Sequence, residues 1–144
     1  MGKNYEVIEH TADIGLKIFG KTKKELFQNA ARGMFFLITG SSIFFKEESN
    51  NKYFKVECEA SNLEDLLVSW LSDLLHIHNT EYMIFGDFII NHLTEQFIQS
   101  EIVGVKITDS LHQIEKEIKA VTYHHLQVFK NEKGRWEANI VFDL

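Results

Sequence analysis

Proline is missing altogether from the 144 residues, where ordinary usage near 5% would supply about seven. Turns must therefore be built from Gly, Asn and Asp, and a proline-rich linker is excluded. Cysteine is nearly as scarce. Cys58 stands alone, so no intramolecular disulfide framework can form, and a reducing compartment such as the cytoplasm is the natural home. No window approaches the roughly 18 consecutive apolar residues that a membrane span needs. The stretch Met1-Gly2-Lys3-Asn4-Tyr5-Glu6 has no apolar run behind its basic residue and does not read as a signal peptide, and Glu6 stands where a myristoylation pattern wants Ser or Thr. Positive charge is in deficit, with 15 Lys+Arg against 21 Asp+Glu and a net charge of -6. A chain of that sign repels phosphate backbones on average. The expectation is a cytoplasmic protein with no membrane contact and no dedicated nucleic-acid face.

What is present suits one globular domain over residues 1–144, with 44% hydrophobic and 25% charged residues. At this length folding hides roughly 70% of the unfolded surface, so no metal is needed merely to hold the chain together. Tyr5 to Glu9 alternates as a strand, His10 to Asp13 reads as a turn, and Ile14 to Phe19 reads as a second strand, antiparallel to the first. Thr22-Lys23-Lys24-Glu25 has capping-box spacing, and Leu26, Ala30, Met34, Leu37 and Ile38 recur at helical spacing until Gly40 stops them. Ser42 to Lys46 reads as a short strand, and Phe54, Val56, Cys58 and Ala60 alternate in a half-buried one. Ser61 with Glu64 predicts a second capping box, followed by an apolar stripe from Leu63 to Leu75. Tyr82 to Ile90, Gln96 to Ile107 with Gly104 as a bulge, Lys119 to Phe129 and Trp136 to Phe142 are strands, the last two joined by a turn at Asn131 to Gly134. The predicted class is α+β, a single-domain two-layer sandwich of mostly antiparallel or mixed β-sheet with two main helices.

One motif invites a nucleotide. Gly15-Leu16-Lys17-Ile18-Phe19-Gly20-Lys21-Thr22 matches the phosphate-loop pattern G-x-x-x-x-G-K-[ST] and leads into a helix. A phosphate loop must wrap backbone amides around an anion, whereas these residues alternate as an extended strand, and the chain lacks successive β-α-β crossovers. A small phosphate-loop-like nucleotide-binding protein is therefore an alternative that context argues against, with Thr22 read as a helix cap.

The acidic residues point elsewhere. Asp13 precedes Gly15 in the predicted turn, where an Asx-turn is the common fate of Asp. Asp143 follows the apolar run Ile140, Val141 and Phe142, and if Leu144 ends the natural chain its carboxylate adds a second charge. Should the last strand lie beside the first two, Asp13, Asp143 and Leu144 would converge as hard oxygen donors, a set that favours Ca²⁺, Mg²⁺ or Mn²⁺ over Zn²⁺. The 7 histidines form no chelate: His76 and His78 point different ways on a helix, and His124 and His125 face opposite sides of a strand. With no basic neighbour to activate it, Cys58 reads as a small buried hydrophobe. No nucleophile arrangement is assignable, and an enzyme is not indicated.

The residues His10-Thr11-Ala12-Asp13-Ile14-Gly15, together with Glu117-Ile118-Lys119-Ala120-Val121-Thr122-Tyr123-His124 and the terminal Phe142-Asp143-Leu144, resemble the archease family. The first helix, the Leu66 to Leu71 stretch and the spacing of Trp136 and Ala138 share in the resemblance, which covers nearly the whole chain. It implies a non-enzymatic activator of the RtcB-type RNA ligase of tRNA splicing and RNA repair, one that promotes GTP-dependent guanylylation of the ligase's active-site histidine and repeated turnover. It also implies a divalent-metal site, described with calcium, at the positions that here are Asp13, Asp143 and Leu144. His10, Lys119 and His124 are further candidates for orienting that tip or touching the partner. A generic chaperone acting on other proteins is the remaining alternative.

Overall fold

Alternating apolar side chains build β1 (Tyr5–Glu9), β2 (Asp13–Gly20), β3 (Lys52–Glu59), β4 (Met83–Leu93), β5 (Phe97–Lys106), β6 (Ala120–Lys130) and β7 (Trp136–Asp143), and 3.6-residue periodicity builds α1 (Lys23–Thr39) and α2 (Leu63–Glu81). They are seen in a computed structural model that describes residues 4–9, 12–43, 50–110 and 112–144. Among the described residues the strands divide between two sheets, one ordered β1-β2-β7-β6 and the other β3-β5-β4, and every pairing is antiparallel. Each helix packs on both sheets, α1 against β2 and β4 and α2 against β3 and β6. The α+β class with two helices is the one the sequence predicts.

Helix α1 starts where its capping residues say it should. The Thr22 hydroxyl accepts from the Glu25 N–H at 3.1 Å, and Gly40 closes the helix at φ 74° with its N–H on the Phe36 carbonyl. Gly20 lets β2 run straight into this helix, since a Cβ there would lie 2.5 Å from the Leu26 nitrogen. Leu26, Ala30, Met34 and Ile38 are fully buried against Leu16, Ile18 and Ile140, themselves buried on the inner face of the first sheet. In the centre, Phe35 meets Phe85 edge-on at 5.7 Å and Phe88 at 5.9 Å. The fully buried Trp70 donates its indole N–H to Ser100 Oγ at 2.9 Å, and Ser100 donates onward to the Val56 carbonyl at 2.9 Å.

Four local expectations need correcting. The second helix is capped by Asn62, whose side chain accepts from the Asp65 N–H at 2.8 Å, and Ser61 is not the cap. Ala60 still bonds Gln96 across the second sheet, which delays the helix by one residue. Tyr82 is the left-handed C-cap of α2 at φ 54°, so the next strand begins at Met83. The register shifts predicted near Gly104 lie in the partner strand β4, at Phe85/Asp87 and Ile90/His92. Ser42 and Ile43 are in no strand, and the rest of the stretch expected to form one lies outside the described residues.

Candidate metal site at the strand ends

The pairing of β2 with β7 sets Asp13 directly opposite Asp143, and Ala120 of β6 lies on the other side of Asp143. Directly opposite residues carry their side chains on one face with Cβ atoms about 5 Å apart, and like charges so placed repel. Asp13 is thus the first residue of β2 and not an Asx-turn residue, because the sheet extends one residue past the alternation of Ile14, Leu16 and Ile18. The chain is tied down here from both sides. The Lys119 N–H donates to the Asp143 carbonyl at 2.8 Å, and the Leu144 N–H reaches the Ala12 carbonyl at 3.4 Å.

Asp13 Oδ1 is buried and has no hydrogen-bond partner among the described residues. An acceptor left so costs about 1–3 kcal/mol, more for a charged one, unless something unlike a protein donor completes it. Beside it lies a cavity of about 210 Å³ lined by Glu9, Asp13, Ile14, Lys116 and Leu144. At roughly 30 Å³ of liquid volume per water it has room for several. Asp143 is exposed and does not line that cavity. Among the described residues no group of three or more His, Cys, Asp or Glu side chains is placed to hold a metal. A cation here would therefore draw on two carboxylates and a main-chain oxygen of Leu144, a hard, all-oxygen set of the kind that suits Ca²⁺, Mg²⁺ or Mn²⁺. The orphaned Asp13 oxygen and the Asp13–Asp143 register fit such an ion.

The further candidates separate. Lys119 meets Asp143 through its backbone, with its side chain exposed. His10 lies outside the described residues. His124 is displaced from the tip by a wide bulge in which Tyr123 to Leu126 stand against Ile140 alone, with His125 at φ 54°. His124 and His125 therefore do not alternate as an even strand would require; the His124 N–H instead turns back to Thr122 Oγ1 at 3.2 Å. Glu9 and Lys116 are the cavity residues that sequence reasoning missed. Glu9 closes a predicted strand, and Lys116 lies in an irregular stretch where no periodicity could have marked it.

Elsewhere the chemistry is structural. The Cys58 thiol donates to Asp73 Oδ2 at 2.8 Å. Burial, and then the Asp73 carboxylate, push it up to about 12, the reverse of what a nucleophile needs. Burial lowers the pKa of His78, whose Nδ1 lies 2.6 Å from the Met83 carbonyl, while His76 on the same helix is exposed. The phosphate-loop lookalike runs from Gly15 to Gly20 inside β2, hydrogen-bonded to β1 and β7 on its two edges. Its amides belong to the sheet ladders and cannot wrap an anion. No helix among the described residues is long and apolar enough to cross a membrane.

Comparison with known proteins gives one consistent match. Residues 5–144 match the model of the Archease protein family (MTH1598/TM1083). Protein archease of Methanosarcina barkeri is 36% identical over 147 residues, covering 99% of this chain and 97% of that one. Protein archease of Pyrococcus abyssi is 35% identical over 145 residues, covering 99% of each. Among solved structures, protein 1598 of Methanobacterium thermoautotrophicum superposes with a TM-score of 0.73 at 30% identity over 98% of this chain and 99% of that one. A Thermotoga maritima protein described as an archease and possible chaperone shares the fold, with a TM-score of 0.61 at 24% identity over 95% and 94% of the two chains.

Proposed function

The chain belongs to the archease family, and from that premise we propose that it activates an RtcB-type RNA ligase in tRNA splicing and RNA repair, acting as an accessory protein and not as an enzyme. The observation that carries this reading is Asp13 opposite Asp143, with one Asp13 oxygen buried and without a partner among the described residues. Asp13, Asp143 and a main-chain oxygen of Leu144 would hold a divalent cation, calcium first and Mg²⁺ or Mn²⁺ as alternatives. Held by those residues, such a cation would supply positive charge for a partner's anionic groups.

The rest of the mechanism falls to the chain itself. The β2–β7 ladder fixes the two carboxylates at the end of a rigid sheet, so the tip can enter a partner's cleft without ordering a loop. Lys119 pins Asp143 from the β6 side. The tip then stabilises the ligase conformation in which its histidine is guanylylated by GTP, and RNA is handled by the ligase. The test follows formation of the covalent guanylyl-ligase from labelled GTP. A catalytic amount of this protein should accelerate it, Asp13→Asn and Asp143→Asn proteins of unchanged fold should not, and this protein alone should neither hydrolyse nor be labelled by GTP. Equal stimulation by the variants refutes the tip, and labelling or hydrolysis without ligase would restore the nucleotide-binding reading.

A further inference from the structure

A cavity of about 220 Å³ opens between the edge strands of the two sheets and shares no residue with the one beside Asp13. Tyr5 of β1 and Gly86 of β4 line it from those edges, and Arg32 lines it from α1, which packs on both sheets. Among the described residues, Arg32 is the one charged member of the lining. From this geometry we infer that the cavity binds a small organic monocarboxylate, with the Arg32 guanidinium as its anchor and the Tyr5 hydroxyl as a second donor. The inference goes beyond the ligase reading and does not depend on the cation tip.

The local sequence builds the opening. In β4 the register steps from Phe85 opposite Gly104 to Asp87 opposite Val103, so Gly86 has no partner on β5. That bulge lets Phe85 and Phe88 both enter the core, where an even strand would send them to opposite faces. They form the apolar floor of the cavity. Ile43 and the Tyr5 ring, both packed against the core, supply apolar walls.

The polar groups of the lining are chiefly donors. Arg32 Nη1 donates to Asn29 Oδ1 at 3.1 Å, and Asn29 Nδ2 donates to the Phe19 carbonyl at 2.7 Å. This chain steadies the guanidinium and leaves it further N–H groups. Among the described residues no Asp or Glu lines the cavity, and Arg32 makes no ion pair. Burial raises the Tyr5 pKa above its usual 10.0 and the Arg32 charge only partly opposes the rise, so the phenol stays protonated at neutral pH and can donate. One positive charge balances one negative charge, and the planar guanidinium matches a planar carboxylate through two parallel hydrogen bonds. A net charge of -6 disfavours a dianion such as a phosphate ester. The apolar floor and walls suit a ring or short hydrocarbon behind the carboxylate.

Calorimetric titration of the full chain with benzoate, in a buffer free of other carboxylates, tests the assignment. Benzoate should bind with a Kd on the order of 1 mM, and neutral benzamide about tenfold or more weakly. Inorganic phosphate should bind more weakly than benzoate. Arg32→Gln should weaken benzoate binding by about tenfold, Arg32→Lys should fall between it and wild type because it keeps the charge without the fork, and Tyr5→Phe should weaken binding about threefold. Asp13→Asn should bind benzoate as wild type does. In heteronuclear NMR of wild type, the Arg32 Nε–H resonance should shift as benzoate is added. No benzoate binding by wild type, equal binding of benzamide, an unmoved Arg32 resonance or unchanged binding by Arg32→Gln overturns the site. Phosphate binding as tight as benzoate overturns the carboxylate assignment, and unchanged binding by Tyr5→Phe overturns its donor role.

Discussion

Asp13→Asn should change the sign of its effect on stability with the calcium concentration. Asp13 and Asp143 face each other across the β2–β7 ladder, and two charges about 5 Å apart near a protein surface repel by about 1 kcal/mol once solvent at the exposed Asp143 is allowed for. Removing one charge in EDTA relieves that repulsion, and an amide nitrogen can also lessen the cost of the unpartnered Asp13 oxygen. For 144 residues, 1 kcal/mol corresponds to about 3 °C in Tm, so the variant should melt about 3 °C above wild type without metal. Calcium at a hundred times its dissociation constant adds about 2.7 kcal/mol to a protein that binds it, which raises wild type by about 8 °C and leaves the variant unmoved. The two melting curves therefore cross as calcium rises. Differential scanning calorimetry in EDTA and in calcium measures this directly. A variant less stable than wild type in EDTA would mean that the Asp13 carboxylate has a structural partner, and a wild type indifferent to calcium, magnesium and manganese would remove the basis of the site.

Three other outcomes follow from the packing. Ser100→Ala leaves the buried Trp70 indole N–H and the Val56 carbonyl without their shared partner, and urea denaturation should show a loss of about 1–3 kcal/mol. Because Cys58 is pushed up to about 12 from 9.0, its contribution to stability is complete below pH 9 and is lost as pH rises toward 12. Cys58→Ala should flatten that alkaline decline, and in wild type a thiol reagent at pH 8 should react only on unfolding. His78 titrates below its usual 6.5 because it is buried, so acid costs stability as pH falls below 6.5 and the unfolded chain takes up the proton first. A His78→Gln protein should lose less stability than wild type between pH 6.5 and 4.5.

Much of the fold was legible because local chemistry and tertiary packing agree. Thr22 caps α1 and Gly40 ends it as their residue types predict, and Asn131 closes the β6–β7 turn by accepting from the Lys133 and Arg135 N–H groups. Legibility failed where the outcome depends on distant partners. Asp13, Asp143 and Leu144 stand out in the sequence as hard oxygen donors, yet the direct opposition of the two aspartates depends on a pairing between segments at the two ends of the sequence. Asp73 reaches Cys58 from another element. The bulge at Tyr123 to Leu126 carries no glycine to announce it, and its left-handed residue is His125. Glu9 and Lys116 line one cavity from segments far apart in the sequence, with the 115–116 backbone held by the Ile38 carbonyl at the end of α1.

The central claim is that this chain activates a ligase through the cation-holding tip formed by β2 and β7. It is tested most directly by RNA ligation under multiple turnover, with the cognate RtcB-type ligase in excess over this protein. Wild type should convert a single round of joining into sustained product formation, and folded Asp13→Asn and Asp143→Asn proteins should leave the reaction at its single-round level. Sustained joining with either variant, or no stimulation by wild type, would contradict the account.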